Sequence, residues 1–347
     1  MAVEPLFGTR AQKAFMITIA VQAIVVVTMV ALTFGIVRVN AGSTFEDLGY
    51  KTLPCYLALF ILAEIFELIM ALDALRSRNI IQLMGIVLFH GALIVFSALQ
   101  IHETHVAIFN CVPPCVIDTN HLWNKVQGFL IVSPCIIAAS WLFLMFWIKQ
   151  LYDEFGWVIF HVVGANPKFK SMYQFYQIFI CLLKFDFFCF VGVTMQLLIV
   201  VLSGSSAEFG VTIAAIPVVL LLLAGCARAV KYEVKWLMTM ALILMVAAMT
   251  YFLYKLVRFY EPSSEAQYVS TRATLTVFTV TAFLLVLASF VIGIKCLRDF
   301  DKGLLESKAH GQSYTPVKTH VMDVFRMERQ SSYSPGGVPL QQQISIE

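Results

Sequence analysis

The feature that limits this chain most is a set of eight apolar runs, 14–37, 52–75, 80–101, 126–148, 173–202, 210–230, 234–254 and 274–297, separated by short polar segments. A bilayer's hydrocarbon core is about 30 Å thick and takes about 20 apolar residues at 1.5 Å of helical rise per residue, and every run meets that length. Composition agrees. Of the 347 residues 60% are hydrophobic and 13% charged, against roughly 45–50% and 25% in soluble domains, more apolar surface than one soluble core can hide. Lipid offers no partners for free backbone groups and no alternating barrel pattern is present, so each run is predicted to be a helix. The expected fold is all-α, a polytopic transmembrane helix bundle of about eight spans.

Orientation follows from Lys and Arg. Fourteen of them (Arg10, Lys13, Arg76 and Lys149 among them) fall on one side of the expected spans and six, such as Arg38 and Arg272, on the other. The richer side is predicted to be cytosolic, which puts residues 1–13 and the C-terminal segment there. Val39-Asn40-Ala41 has the small-residue form of a signal cleavage site, and cleavage would leave seven spans and an outside N-terminus, as in a receptor. The apolar run before it has 24 residues, well over the 7–15 of a signal peptide core, which favours eight. In the segment 150–172, Trp157, Phe160 and Val163 recur at helical spacing before Gly164 and Asn166-Pro167, predicting a short helix lying at the interface.

Residues 298–347 are polar and rich in Ser, Gln, Gly and Pro, the composition of a disordered cytosolic tail. Within it, Tyr314-Thr315-Pro316-Val317 has the form of a tyrosine-based sorting signal, which makes trafficking adaptors expected partners. Thr315-Pro316 and Ser334-Pro335 have the form of phosphorylation sites. No internal repeat is visible, so an inverted-repeat transporter is not supported.

Other functions find little support. The net charge is +3 with no dense basic face, which argues against nucleic acid. Phosphate-loop, nucleophile-elbow and dinucleotide motifs are all missing, and no stretch outside the spans has room for a catalytic domain; the chain is not expected to be an enzyme or to carry a cofactor. Cys55, Cys111 and Cys115 lie near the non-cytosolic face, where an oxidising lumen permits a disulfide. Val112-Pro113-Pro114 stiffens the segment between the last two, leaving Cys55 as an alternative partner. The other five cysteines read as small apolar residues. His102, His105 and His121 share the expected loop 102–125 without a ligand spacing, so no metal is expected.

The strongest physical signal is a polar layer inside the spans. A charge at the bilayer centre costs at least about 2.5–3.5 kcal/mol, so Glu64, Glu67, His90, Lys184 and Asp186 are predicted to face the bundle interior. Counted along the helices, they fall at roughly one depth. Lys184 and Asp186 stand two positions apart, about 200° around the axis, and cannot pair with each other. Lys184 is expected to pair with Glu64 or Glu67, and Asp186 with His90. Such a layer reads either as an ion path or as a set of buried pairs that fixes helix packing, with Lys184 partly snorkelling toward the cytosol.

Gly156-Trp157, Gly164-Ala165-Asn166-Pro167, Tyr176-Gln177-Ile178-Phe179 and Leu183-Lys184-Phe185-Asp186-Phe187-Phe188, with Gly192 and Gln196, resemble a fungal family described as Golgi apparatus membrane proteins. Asp73-Ala74-Leu75, Asn79-Ile80-Ile81-Gln82 and the run from Tyr254 to Tyr260 look similar too. The resemblance covers roughly residues 14–297. It implies a multipass protein of the Golgi or neighbouring endomembranes with no established biochemical activity, and draws attention to Lys184 and Asp186; a non-enzymatic organisational or trafficking role is the preferred reading. A proton-coupled carrier using the polar layer is the alternative, and a seven-span receptor a third.

Overall fold

The computed structural model describes residues 8–41, 52–109, 119–163, 167–201, 207–261 and 272–302. Eight helices account for nearly all of them: α1 (Arg10–Ala41), α2 (Thr52–Ser77), α3 (Ile80–Phe109), α4 (Thr119–Val163), α5 (Pro167–Val201), α6 (Ala207–Tyr232), α7 (Lys235–Arg258) and α8 (Arg272–Asp299). No strand occurs among the described residues. All eight helices are long and apolar enough to cross a membrane, as the apolar runs predict.

The helices form two rings. α1 and α3 each pack on both α2 and α4, closing one ring of four, while α5 and α7 each pack on both α6 and α8, closing the other. The rings meet where α2 and α3 lie against α5. Phe66 of α2, Phe89 of α3 and Phe185 and Phe188 of α5 fill that seam, with ring centroids 4.9–5.9 Å apart in tilted and edge-on pairs. Side chains turned toward lipid are large and apolar, such as Leu88 and Leu221, whereas Gln22, Glu64, Glu67, His90 and Gln196 are buried.

The rings share a device that the sequence does not announce. The α2–α3 turn closes with Asn79 N donating to Ala74 O (3.0 Å), and Arg78 adopts the left-handed conformation at φ 49°. The α6–α7 turn closes with Val234 N donating to Ala229 O (3.0 Å), with Glu233 at φ 56°. Each bond caps a helix C-terminus five residues back, leaving no room for a longer connection. The second and third helices of both rings are therefore joined in the same way. A ring of four brings the chain back to its starting side, so the rings repeat in one sense and are not inverted.

Two sequence expectations need correction. The predicted interfacial helix near residue 157 is the end of α4, which runs unbroken for 45 residues, about 68 Å at 1.5 Å per residue. Its overhang is fastened to the start of α1, where Gln12 Nε2 and Thr9 Oγ1 donate to the Glu154 carboxylate at 2.5 and 3.1 Å. The expected loop 102–125 is also mostly helical, since α3 runs to Phe109 and α4 starts at Thr119. His102 and His105 thus belong to α3 and His121 to α4.

Candidate functional site

Inside the first ring, α2 presents Glu64 and Glu67 one turn apart, 1% and 0% exposed, and their partners come from α1 and α3. Gln22 Nε2 of α1 donates to both carboxylate oxygens of Glu64, at 2.8 and 2.9 Å. His90 of α3 meets Glu67 Oε1 through Nδ1 at 2.6 Å. Its Nε2 lies 2.9 Å from Ser140 Oγ and 3.0 Å from Ile137 O of α4. A hydrogen bond between Nδ1 and Oε1 needs a proton on one of the two atoms. A chain of polar contacts thus crosses the ring from α2 to α4, with all side chains out of contact with water.

Lys184 takes a different partner from the one expected. Its Nζ forms an ion pair with Asp73 of α2 and donates to Gln82 Oε1 of α3 at 2.8 Å. Gln82 in turn donates to Met70 O at 2.9 Å, tying α2, α3 and α5 together. The reason for the correction is level. Asp73 and Gln82 flank the α2–α3 turn, so Lys184 stands level with that turn, nine positions along α2 from Glu64. The expected snorkelling of its stem supplies the reach.

Beside Lys184 lies a polar cavity of about 630 Å³ where α2 ends, α3 starts, α5 passes and α6 ends. Asp73, Asn79, Tyr173, Gln177, Arg228 and Lys231 are among its lining. Asn79 caps α3, its Oδ1 accepting from Ile81 N and Gln82 N at 3.0 and 3.3 Å.

Asp186 turns to the other side of α5, as the helical spacing predicts, but its partner is Ser289 of α8, whose Oγ donates to Oδ2 at 2.5 Å. His90, the partner expected for it, is taken by Glu67 in the first ring. Asp186 Oδ1 has no hydrogen-bond partner, and the residue edges an apolar cavity of about 250 Å³ between α6 and α7. The five residues of the expected layer therefore fall into four separate sets of contacts. The sequence reading missed Gln22, Asp73, Gln82, Ser140 and Ser289. The signal that could have found two of them is glutamine in an apolar span, as costly to leave unbonded there as many ionisable groups.

The remaining candidates stand apart. Cys55 is buried in α2, and Cys111 and Cys115, considered with it for a disulfide, lie outside the described residues. Cys181, Cys189, Cys226 and Cys296 are buried, in keeping with their apolar reading, while Cys135 is exposed. His105 stacks on Phe109 and meets Trp123 edge-on. No group of three metal-ligating side chains occurs among the described residues. Tyr314, Val317 and nearly all of the expected tail lie outside them.

Eight apolar helices with their polar residues turned inward define a polytopic α-helical membrane protein. The chain is 31% identical over 281 residues, 75% of its own length and 80% of the relative's, to a UPF0658 Golgi apparatus membrane protein of Schizosaccharomyces pombe. It belongs to this family of Golgi apparatus membrane proteins, in agreement with the resemblance carried by the Leu183–Phe188 block. No family model and no solved structure matches the chain.

Proposed function

We propose that this chain is a non-enzymatic resident of Golgi or neighbouring endomembranes with an organisational or trafficking role, and that its buried polar residues serve to assemble the bundle. The observation that carries this reading is the way those groups are taken up. Gln22–Glu64 joins α1 to α2, Glu67–His90–Ser140 joins α2, α3 and α4, Lys184 joins α5 to α2 and α3, and Asp186–Ser289 joins α5 to α8. An ion path needs groups handing a charge from one to the next. Here the four sets of contacts have no partner in common, and the carboxylate oxygens left over, Glu67 Oε2 and Asp186 Oδ1, belong to different sets. The Golgi address is supported by the family. The excess of Lys and Arg supports cytosolic termini, which would present the tail to trafficking adaptors.

The test replaces Lys184 by Met and Asp186 by Asn, and compares protein abundance and thermal stability with ion or solute flux in proteoliposomes. Loss of folded protein with no flux in the parent is the expected result. Normal folding of both variants with abolished pH-dependent flux would sink the assembly reading in favour of a carrier. Co-localisation of a tagged chain with a Golgi marker checks the address.

A further inference from the structure

The cavity beside Lys184 holds more positive charge than helix packing uses. Lys184 is engaged by Asp73 and Gln82. Arg228 and Lys231, in the last two turns of α6, line the same cavity, with the ring of Tyr232 at 5.1 and 5.7 Å and no carboxylate partner among the described residues. Three other cations at this end of the bundle have carboxylate partners: Lys235 pairs with Asp301, and Lys295 and Lys302 with Asp299. Three cations against the single carboxylate of Asp73 leave this wall with an excess of two positive charges.

The rest of the wall is built for hydrogen bonding. Gln177 is 4% exposed, its side chain hydrogen-bonds Tyr173 and its Oε1 has no partner, so one end of the amide is left for a ligand. The capped start of α3 brings the positive end of a helix dipole to the same place. Guanidinium, ammonium, amide and a helix N-terminus are the groups that hold phosphate oxygens. The position narrows the source. Ser77 closes α2, Asn79 precedes α3 and Tyr232 closes α6, so the cavity lies where the spans end, at the level of lipid headgroups. Basic pockets between helices at that level suit anionic headgroups, and about 630 Å³ is ample for one.

We propose that this cavity binds the phosphorylated headgroup of an anionic lipid, with its terminal phosphomonoester held between Arg228 and Lys231 and with Lys184 and Gln177 behind it. The site stands on the geometry alone. Only the leaflet that supplies the lipid, the cytosolic one, rests on the orientation proposed above.

The experiment uses the full chain in phosphatidylcholine nanodiscs, titrated with fluorescent phosphatidic acid as the phosphomonoester and phosphatidylglycerol as a phosphodiester of like charge. Saturable binding of phosphatidic acid is expected, at least tenfold tighter than phosphatidylglycerol. Arg228→Gln with Lys231→Gln should weaken it at least tenfold. Lys235→Gln, which removes a nearby cation outside the cavity, should change it less than twofold. Should the double variant fail to fold, Arg228→Gln alone, on an exposed side chain, is expected to weaken binding at least threefold. Equal binding of the two lipids, or equal loss in Lys235→Gln, overturns the proposal, since a merely basic surface would behave so. Displacement by excess glycerol 3-phosphate overturns the lipid assignment in favour of a soluble phosphate. Topology tags read separately: binding that persists with this end in the lumen keeps the site and refutes the orientation.

Discussion

At the scale of single residues, the stability of the first ring hangs on His90. Its side chain and that of Glu67 are both 0% exposed, and removing one member of a buried pair leaves the other uncompensated at a cost of about 3–5 kcal/mol. His90→Phe is expected to lower the thermal midpoint in detergent sharply. Adding Glu67→Leu should restore much of the loss, because two apolar groups leave no stranded charge; a double variant no more stable than the single one would refute the pairing. Gln22→Leu should cost less, since Glu64 loses its donor while the rest of the site stays intact, with a loss of about 1–3 kcal/mol in the same assay. Charges inside spans were legible in the sequence because lipid makes them conspicuous. Their partners were not, because Ser140 and Ser289 are ordinary residues in helices and Asp73 stands near a helix end where a charge needs no explanation. Depth counted along one helix could not replace the relative height of two.

At the scale of elements, the apolar runs named all eight helices, since length and hydropathy alone decide what can span. The ends were less visible: polar turns such as the overhang of α4 stay helical because Glu154 ties them to α1. Gly85 and Gly192 lie where a Cβ would meet Cys181 and Phe185 at 3.0 Å and Phe278 at 2.8 Å, whereas Gly35 has open space. Gly293 is as tight, with Leu242 2.9 Å and both Met238 and Phe179 3.1 Å from such a Cβ. Gly293→Leu should therefore wedge α8 from α5 and α7 and destabilise by about 1–3 kcal/mol or more. Gly35→Ala should be neutral or slightly stabilising. Thermal unfolding of the two variants side by side checks the contrast, and equal loss in both would count against the packing described.

At the scale of the whole molecule, two rings joined across an aromatic seam should behave as separable halves. Residues 1–165 and 166–347, made as two chains in the same cell, are expected to co-purify through the α2, α3 and α5 contact. Phe66→Ala with Phe89→Ala should weaken that recovery, and failure of the halves to associate would argue against the seam as the join. Tags at the N-terminus and within 262–271 should report opposite sides of the membrane, as an odd number of spans between them requires; the same side would refute the eight-span count. The pairing of Asp186 with Ser289 carries a last consequence, for synthesis. The two residues lie 103 positions apart, and at about 5–20 residues per second the ribosome needs on the order of 5–20 s to make the chain between them. For that interval α5 has a carboxyl group among lipids and no serine to receive it. Biogenesis of this protein therefore calls for a translocon, or an insertase beside it, that retains α5 until α8 arrives.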